Sequence, residues 1–424
     1  MRIEFHPRIL EQQVYRCTCC GASCRSFLVA VEPRERQAIE ALADWRARLG
    51  VDELFVRRRA AGRAGYGLAK RLDGRCVFLD DDNLCLIHKL HGLPAKPLAC
   101  QLYPFVLTPL AGKWRVGLRF DCPAVVENVG VLLTHHEADL RRLEKQLATP
   151  RLERLPAPPV APARRVSNER FEAINEALVK IITSDATPLV RRLLWLHGFA
   201  GHVGRIRWDR VSEEDFQPLL NMLRGGVLAE VQRAEPPRRR PEGRPRKLLG
   251  QIFFLLGQPT TVLTGKREGL AERLGRRWAL LRAARQFRRA HGPLPKIRPT
   301  WPKCDLSDLE HSFGDWPAEV QQMLTRYLTS RLAGMNYCGP AFYGYGMIEG
   351  LQTLLLGMVA VGWLMRLAAV RAGRRHLELA DAHEAVLTID GNLGYAEALN
   401  FGPARLRLRV LGEHLGEFIA CYCS

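Results

Sequence analysis

The sequence lacks the glycine-rich loops with which nucleotide-binding proteins hold phosphate groups. The segment Gly257–Lys266 contains a Gly-Lys pair, but the four-residue gap and the following Ser or Thr of a phosphate loop are missing. No Gly-x-Gly-x-x-Gly motif follows a strand-like run. The radical-enzyme signature Cys-x3-Cys-x2-Cys is also absent, because Cys17, Cys20 and Cys24 have the reverse spacing. These absences argue against a P-loop NTPase, a dinucleotide-binding enzyme and a standard radical enzyme.

Long apolar runs are scarce as well. The first residues contain neither an apolar segment nor a small-residue cleavage site, so we expect no secretory signal. The longest lipid-like stretch, Gly350–Met365, has 16 residues. A transmembrane helix needs about 20. We therefore expect a buried core helix at this position, no membrane span, and a cytoplasmic protein.

Positive charge is abundant and concentrated in one segment. The 424 residues are 47% hydrophobic and 25% charged, as in folded proteins of two or three domains, and the net charge is +19. Between Arg233 and Arg298 there are 18 Lys or Arg and four Asp or Glu. This basic patch could attract nucleic acid, anionic lipid or an acidic protein partner. The alternative is a solvated, arginine-rich surface without a partner, since no base-reading motif accompanies the charge.

Hydrophobic periodicity predicts a mainly α protein, in which a small irregular α/β cysteine-rich module precedes a helical region. We divide the chain into a cysteine-cluster metal-binding module at 1–150, a helical region at 166–232, and a helical region with the basic patch at 248–424. The predicted local elements are a helix at Pro33–Leu49, strands at Cys76–Leu79 and Trp114–Leu118, an extended connector at Leu155–Pro162, and a surface loop at Pro236–Pro245.

Cysteine is crowded near the front of the chain, where eight of the twelve cysteines lie at or before position 122. Structural disulfides are rare in the cytosol, so the crowding predicts metal ligands. The predicted ligands are Cys17, Cys19, Cys20, Cys24, Cys76, Cys85, Cys100 and Cys122. The alternative is that several of them are buried free thiols that act as small hydrophobic side chains. The other cysteines, Cys304, Cys338, Cys421 and Cys423, are predicted to be core or surface thiols.

The spacing of these cysteines limits the kind of site. The first group contains Cys-x2-Cys-x3-Cys, in which Gly21 can supply the positive φ of a tight turn. The later gaps of 8, 14 and 21 residues fit no simple zinc finger, so the ligands must converge from separate loops. Thiolates suit zinc, copper(I) and iron–sulfur clusters. Eight thiolates allow one four-cysteine cluster plus a second site, or two zinc sites. His88 and His91 are candidate auxiliary nitrogen ligands.

The order of the motifs resembles the YkgJ-type cysteine-cluster family, described as zinc- or iron-chelating. The matching residues are Cys17, Cys20, Gly21 and Cys24; Cys76, Phe78 and Leu79; Cys85 and Ile87; and Pro97, Cys100, Tyr103 and Pro104. The family has cysteine where this chain has Ser23, and Cys19 is additional, so Cys19 could replace the missing thiol. The resemblance implies a metal site. On its strength we expect a [4Fe–4S]-type iron–sulfur cluster, with zinc as the alternative.

The chain length, the Cys122-Pro123 step and the helical C-terminal part also resemble flagellin lysine-N-methylases. This resemblance implies an iron–sulfur protein that transfers methyl groups from S-adenosylmethionine to lysine side chains of another protein, with an acidic substrate held by the basic patch. It names no catalytic residue. The contrasting hypothesis is a non-catalytic zinc- or iron-binding protein whose basic face contacts nucleic acid or an acidic protein.

Overall fold

The computed structural model describes residues 1–27, 29–60, 63–147, 149, 152, 154–234, 242–257, 269–289, 291–295, 298, 301–396, 399–400 and 402–423. Over this part of the chain helices predominate, and the named strands all precede residue 133. The predicted fold class, mainly α with a small α/β cysteine-rich region ahead of the helices, is confirmed.

The front of the chain contains the short strands and short helices. The strands are β1 (Arg2–Glu4), β2 (Val14–Tyr15), β3 (Ala30–Val31), β4 (Phe55–Ala60), β5 (Arg63–Leu68), β6 (Phe105–Leu110), β7 (Lys113–Leu118) and β8 (Val131–Leu132). The helices are α1 (Pro7–Gln12), α2 (Ala22–Ser26), α3 (Pro33–Leu42), α4 (Trp45–Leu49), α5 (Leu86–His91), α6 (Leu98–Leu102), α7 (Pro123–Val126) and α8 (Glu137–Leu147).

The strands pair in small sheets with the orders β1-β7-β6, β2-β8 and β3-β5-β4. β1 is parallel to β7, with Ile3 opposite Trp114, and the other pairs are antiparallel. The β6–β7 hairpin turns at Ala111 and Gly112, which both have positive φ. A turn of this kind matches the twist of the two strands. The predicted strand at Trp114–Leu118 is therefore confirmed as part of β7.

Longer helices form the rest of the described chain, which we call the helical body. They are α9 (Asn168–Ile182), α10 (Leu189–Val203), α11 (Glu213–Arg233), α12 (Arg244–Gly257), α13 (Leu270–Arg289), α14 (Ala318–Ala333), α15 (Met347–Arg371), α16 (Leu379–Asp390), α17 (Gly402–Glu413) and α18 (Leu415–Tyr422). Short 3-10 turns occur at Leu93–Ala95, Leu133–His136, Trp208–Arg210 and Leu306–Leu309.

The buried apolar side chains form two separate hydrophobic cores. The front core lies between Val31 and Ile87 and is centred on Trp45 and Phe78, whose rings meet edge to face at 5.3 Å. The main core contains the side chains of the helical body together with those of β1, β6 and β7. Strand β1, which precedes the cysteines, and strands β6 and β7, which lie between Cys100 and Cys122, therefore pack with the helices. The division of the chain into three domains stays a prediction.

Helix α15 lies at the centre of the main core. It is the one described helix that is long and apolar enough to cross a membrane, and 94% of its most apolar 18-residue window is buried inside the protein. Glycines let neighbouring backbone approach it closely: a Cβ on Gly350 would lie 2.0 Å from the carbonyl oxygen of Tyr337, and one on Gly362 would lie 1.9 Å from that of Tyr422. The expected buried core helix over Gly350–Met365 is confirmed.

The helix predicted at Pro33–Leu49 is divided in two, so its predicted length was wrong. Ala43 is extended, which ends α3, and the carboxylate of Asp44 accepts a hydrogen bond from the N–H of Ala47 over 3.2 Å to start α4. Aspartate is a strong N-cap residue, so it starts a new helix more readily than it continues one. Gly50 ends α4 with positive φ, which glycine adopts readily at the C-terminus of a helix.

Other local predictions meet mixed outcomes. The run Cys76–Leu79 forms turns with isolated bridges rather than a strand. The connector Leu155–Pro162 is free of regular structure but packs closely, because the carbonyls of Pro159 and Val160 accept hydrogen bonds from the first N–H groups of α15. Most of the predicted loop Pro236–Pro245 lies outside the described residues, as does most of Gly257–Lys266.

Candidate metal centre

The first cysteines lie on an irregular turn that leads into α2. Cys19 and Gly21 have positive φ values of 54° and 68°, and α2 then carries Cys24. A Cβ on Gly21 would lie 2.9 Å from Oδ1 of Asn83, closer than real Cβ atoms approach such an atom. Glycine therefore satisfies both the backbone conformation and the limited space, as the sequence predicts.

Three further segments bring later cysteines to Cys24. The N–H of Cys76 donates to the carbonyl of Cys24 over 3.1 Å, and Nζ of Lys70 donates to the same carbonyl over 2.5 Å. Cys85 occupies the N-cap of α5, and Cys100 lies within α6. The convergence from separate loops, which the sequence gaps require, is thus observed for these cysteines.

We call Cys24, Cys76, Cys85 and Cys100 the inner cysteines. Burial raises the pKa of Cys76 to about 12, and the charges of Cys24 and Cys85 add to that effect. Burial likewise raises the pKa of Cys100, and each of the other inner cysteines raises it further. Cys76 belongs to the front core, and Cys24, Cys85 and Cys100 pack against that core, so the four residues lie on the same part of the front segment. In the absence of a cation, burial favours the neutral thiol.

We call Cys17, Cys19, Cys20 and Cys122 the outer cysteines. Burial raises the pKa of Cys19, and both Cys17 and Cys20 raise it further; Cys17 also shares a hydrogen bond with Cys19. Burial raises the pKa of Cys122 to about 11, and Cys20 adds a smaller contribution. Cys17, Cys19 and Cys20 are exposed, whereas Cys122 is buried. The outer group is therefore open to solvent on one side.

The two cysteine groups adjoin. Burial dominates the pKa of Cys24, an inner cysteine, and Cys17 of the outer group is among the smaller influences that raise it. Within the described residues, no three His, Cys, Asp or Glu side chains lie close enough together to hold a single metal ion. The described side chains therefore present no preformed single-ion site, and the ligand set stays a prediction.

Two of the sulfurs accept hydrogen bonds from backbone N–H groups. Phe78 donates to Cys76, and this bond opposes the rise in the pKa of that cysteine caused by burial. Ala124 and Val125, at the start of α7, donate to Cys122 in the same way. Hydrogen bonds to sulfur stabilise the thiolate form, and they also set the properties of iron–sulfur clusters.

Two lysines place positive charge beside the inner cysteines. Lys96 and Lys70 both act to lower the pKa of Cys24, against the larger effect of burial. Burial lowers the pKa of Lys70 itself, while Cys76, Cys24 and Cys100 oppose that change. The ammonium groups would partly balance the negative charge of bound thiolates.

The predicted auxiliary histidines both lie on α5. Burial, and then Lys96, lower the pKa of His88. The ring of His91 lies 5.8 Å from that of Trp45, in an edge-on contact with the front core. Neither arrangement involves a cysteine, and nitrogen ligation by these residues stays a prediction.

A buried charged network beside the outer cysteines was missed by the sequence analysis. Arg119 donates to the carboxylate of Asp121, and the hydroxyl of Tyr103 donates to the same group over 3.0 Å. The carboxylate of Asp390 accepts from the N–H of Asp121 over 3.1 Å and also from Arg331. The network ties the segment next to Cys122 to α14 and α16. In the sequence, only Asp121 beside Cys122 could have pointed to this network, because its partner Asp390 is 269 residues away.

The fold and the cysteine groups define a class: a mainly α protein whose front segment offers many thiol donors to a metal. Residues 16–123 match the family model CxxCxxCC, described as "Putative zinc- or iron-chelating domain". This match supports the resemblance of the front segment to that cysteine-cluster family and is consistent with zinc or iron binding by its cysteines. No curated protein and no solved structure matches the chain. The resemblance to flagellin lysine-N-methylases is therefore unsupported.

Proposed function

We propose that the front segment binds a [4Fe–4S]-type iron–sulfur cluster through the inner cysteines, and that the outer cysteines form a second, solvent-facing metal site. The observation that carries the proposal is the packing of Cys24, Cys85 and Cys100, from three separate segments, against the front core that contains Cys76. Thiolates are the ligands that such clusters use. The backbone bond to the sulfur of Cys76 and the adjacent lysines support the same assignment.

A single zinc ion and a [4Fe–4S] cluster would need different spacings of the inner cysteines. Four thiolates on one zinc each lie about 2.3 Å from the metal, so their sulfurs are in close contact. In a [4Fe–4S] cluster each thiolate binds a different iron, and the sulfurs are spread around the cluster. The mutual influence of the inner cysteines is compatible with both arrangements, and we choose the cluster because the similar family is described as zinc- or iron-chelating and eight thiols exceed one tetrahedral site. When bound, the cluster would supply one-electron chemistry or a structural cross-link.

The outer cysteines differ from the inner ones in exposure. Cys17, Cys19 and Cys20 reach solvent, and Cys122 anchors the group against the main core. A metal held there can exchange ligands with solvent or with a partner, whereas the inner site is enclosed. Cys19 provides the thiol that family members supply at the position of Ser23. Methyl transfer from S-adenosylmethionine has no support in this arrangement and is not proposed.

The metal and sulfide content of protein purified without oxygen tests the proposal. We expect a brown protein that contains iron and acid-labile sulfide in about equal amounts, as the cluster formula requires. Cys85→Ala and Cys100→Ala should each lose most of both. Cys304→Ala, which removes a part-buried cysteine against the main core, is the matched control and should keep both. A colourless protein with stoichiometric zinc contradicts the cluster.

A second variant separates the two groups. Cys20→Ala should leave most of the visible absorbance of the inner cluster intact and remove the metal that is easily extracted by a chelator. Far-ultraviolet circular dichroism of each variant checks that the helical body is folded. If Cys20→Ala abolishes the absorbance as completely as Cys85→Ala does, the assignment of the cluster to the inner cysteines is wrong.

A further inference from the structure

The last third of helix α13 packs against the rest of the protein. Ala283, Ala284 and Phe287 are buried, and Phe287 packs against α12 at Gly250, where an added Cβ would lie 2.4 Å from Cβ of Phe287. The same ring meets Trp363 of α15 at 5.5 Å. These contacts hold the C-terminal end of α13 against the main core.

The earlier turns of α13 expose a stripe of large apolar side chains. Leu270 is 79% exposed, Leu274 48%, Trp278 66% and Leu281 45%. Successive helical residues are rotated by about 100°, so these four lie within an arc of about 80°. The stripe is about 16 Å long at 1.5 Å per residue. An exposed apolar row of this size on a soluble surface marks an interaction site.

Arginines border and extend this stripe. Arg277 and Arg282 lie on its two sides, and Arg285, Arg288 and Arg289 continue it toward the end of the helix; all five are exposed. None of them forms an ion pair with a described carboxylate. On α15, by contrast, Arg371 is paired with Glu384. The outward face of α13 thus combines hydrocarbon, indole and unpaired positive charge.

We propose that this face of α13, from Leu270 to Arg289, is an interfacial surface that holds the protein against a membrane rich in anionic phospholipid. A helix with leucine and tryptophan on one face and arginine beside them lies in the plane of the head groups. The leucines and the indole enter the boundary of the acyl chains, and the guanidinium groups contact lipid phosphates. The buried Phe287 keeps the helix on the body of the protein.

Charge and shape favour an anionic membrane over a second copy of the chain or nucleic acid as the partner of this face. A second copy of the chain would bring arginines against arginines, which repel each other. Nucleic acid would pair with the arginines and could stack on Trp278, but it would leave the three leucines in water. The stripe runs along one face of a helix, so a planar apolar layer can cover it without a complementary pocket. The proposal does not depend on which metal the cysteines bind.

Co-sedimentation of the full-length protein with lipid vesicles tests the proposal. Vesicles of phosphatidylcholine with 30% phosphatidylglycerol are compared with vesicles of phosphatidylcholine alone, at low and physiological salt. We expect binding to the anionic vesicles, at least about tenfold weaker binding to the neutral ones, and weakening as salt rises. Trp278 fluorescence should shift to shorter wavelength on binding, and Trp278→Ala should lose this shift.

A matched pair of variants locates the surface. Leu274→Glu should weaken binding to the anionic vesicles by about tenfold or more, because it places a carboxylate in the acyl-chain boundary. Leu406→Glu alters another exposed leucine on an arginine-containing helix, α17, where the leucine is 62% exposed, and should change binding little. Equal losses in the two variants, or no sedimentation with anionic vesicles at low salt, overturn the proposal. So does binding of RNA or an acidic peptide that displaces the vesicles and survives Leu274→Glu.

Discussion

The front core and the main core of this protein differ in how far hydrophobic packing can stabilise them. In the described residues the front core consists of eleven buried side chains, and one of them is the predicted ligand Cys76. The main core extends through the helices of the body and includes the almost fully buried helix α15. Below roughly 70 to 80 residues a hydrophobic core alone supplies little stability, and small domains add metals or disulfides.

This difference indicates that metal binding and folding are linked in one region and separate in the other. The inner cysteines surround the front core, so a bound metal would cross-link the segments that form it. Free energy of binding then contributes directly to folding of that region. The helical body contains no predicted ligand and should fold without the metal. The experiments below compare how the front core and the helical body respond to the same change.

Removal of the metal should have the largest effect. After anaerobic treatment with a chelator, we expect amide hydrogens in β5 and around Cys76 to exchange at the rate of an unfolded chain, because the front core loses its cross-link. Amide hydrogens of α15 and α16 should stay protected. Hydrogen exchange followed by mass spectrometry measures both regions in one sample. Uniform protection before and after chelation would show that the front core is stable without metal.

A pair of phenylalanine variants tests the same contrast at the level of packing. Phe78 and Phe199 are both fully buried, the first in the front core and the second in the main core. Replacement by alanine should cost about 3 to 5 kcal/mol of the free energy of unfolding at either site. In the front core this loss is comparable with the whole stability, so Phe78→Ala should purify with little metal.

Phe199→Ala should lower the thermal unfolding temperature of the body and keep its full metal content. Metal analysis and thermal unfolding of the two variants, measured side by side, distinguish the regions. If both variants lose metal equally, the two cores unfold as one unit and the contrast between them is wrong.

The sequence could predict those features that depend on local chemistry. Cysteine spacing identified the metal-binding segment, Gly21 was correctly assigned to a turn with positive φ, and the apolar run at Gly350–Met365 was correctly assigned to a buried helix. Each of these signals is contained within a few neighbouring residues.

Features that depend on distant partners could not be predicted. Asp390 looks like an ordinary C-terminal helix residue, yet it is fully buried and accepts from the backbone of Asp121. The division of the cysteines into inner and outer groups also depends on distant partners, since Cys20 and Cys122 are far apart in the sequence and influence each other only in the folded chain, where Cys122 packs in the main core with β6 and β7. Local pattern carries no information on such pairings.

The smallest expected effect concerns the start of α4, where the carboxylate of Asp44 accepts from the N–H of Ala47. Asp44→Ala should cost about 1 kcal/mol, the usual value of an N-cap. Ser212→Ala is the matched control, because the Ser212 hydroxyl accepts from the N–H of Asp215 over 3.1 Å and starts α11 in the helical body. Both changes remove a similar bond, so a protein with one cooperative core would respond alike to both.

With a marginal front core, Asp44→Ala should speed metal loss to a chelator several-fold, while Ser212→Ala leaves that rate unchanged. Equal rates of metal loss in the two variants would mean that the front core is stable without its metal.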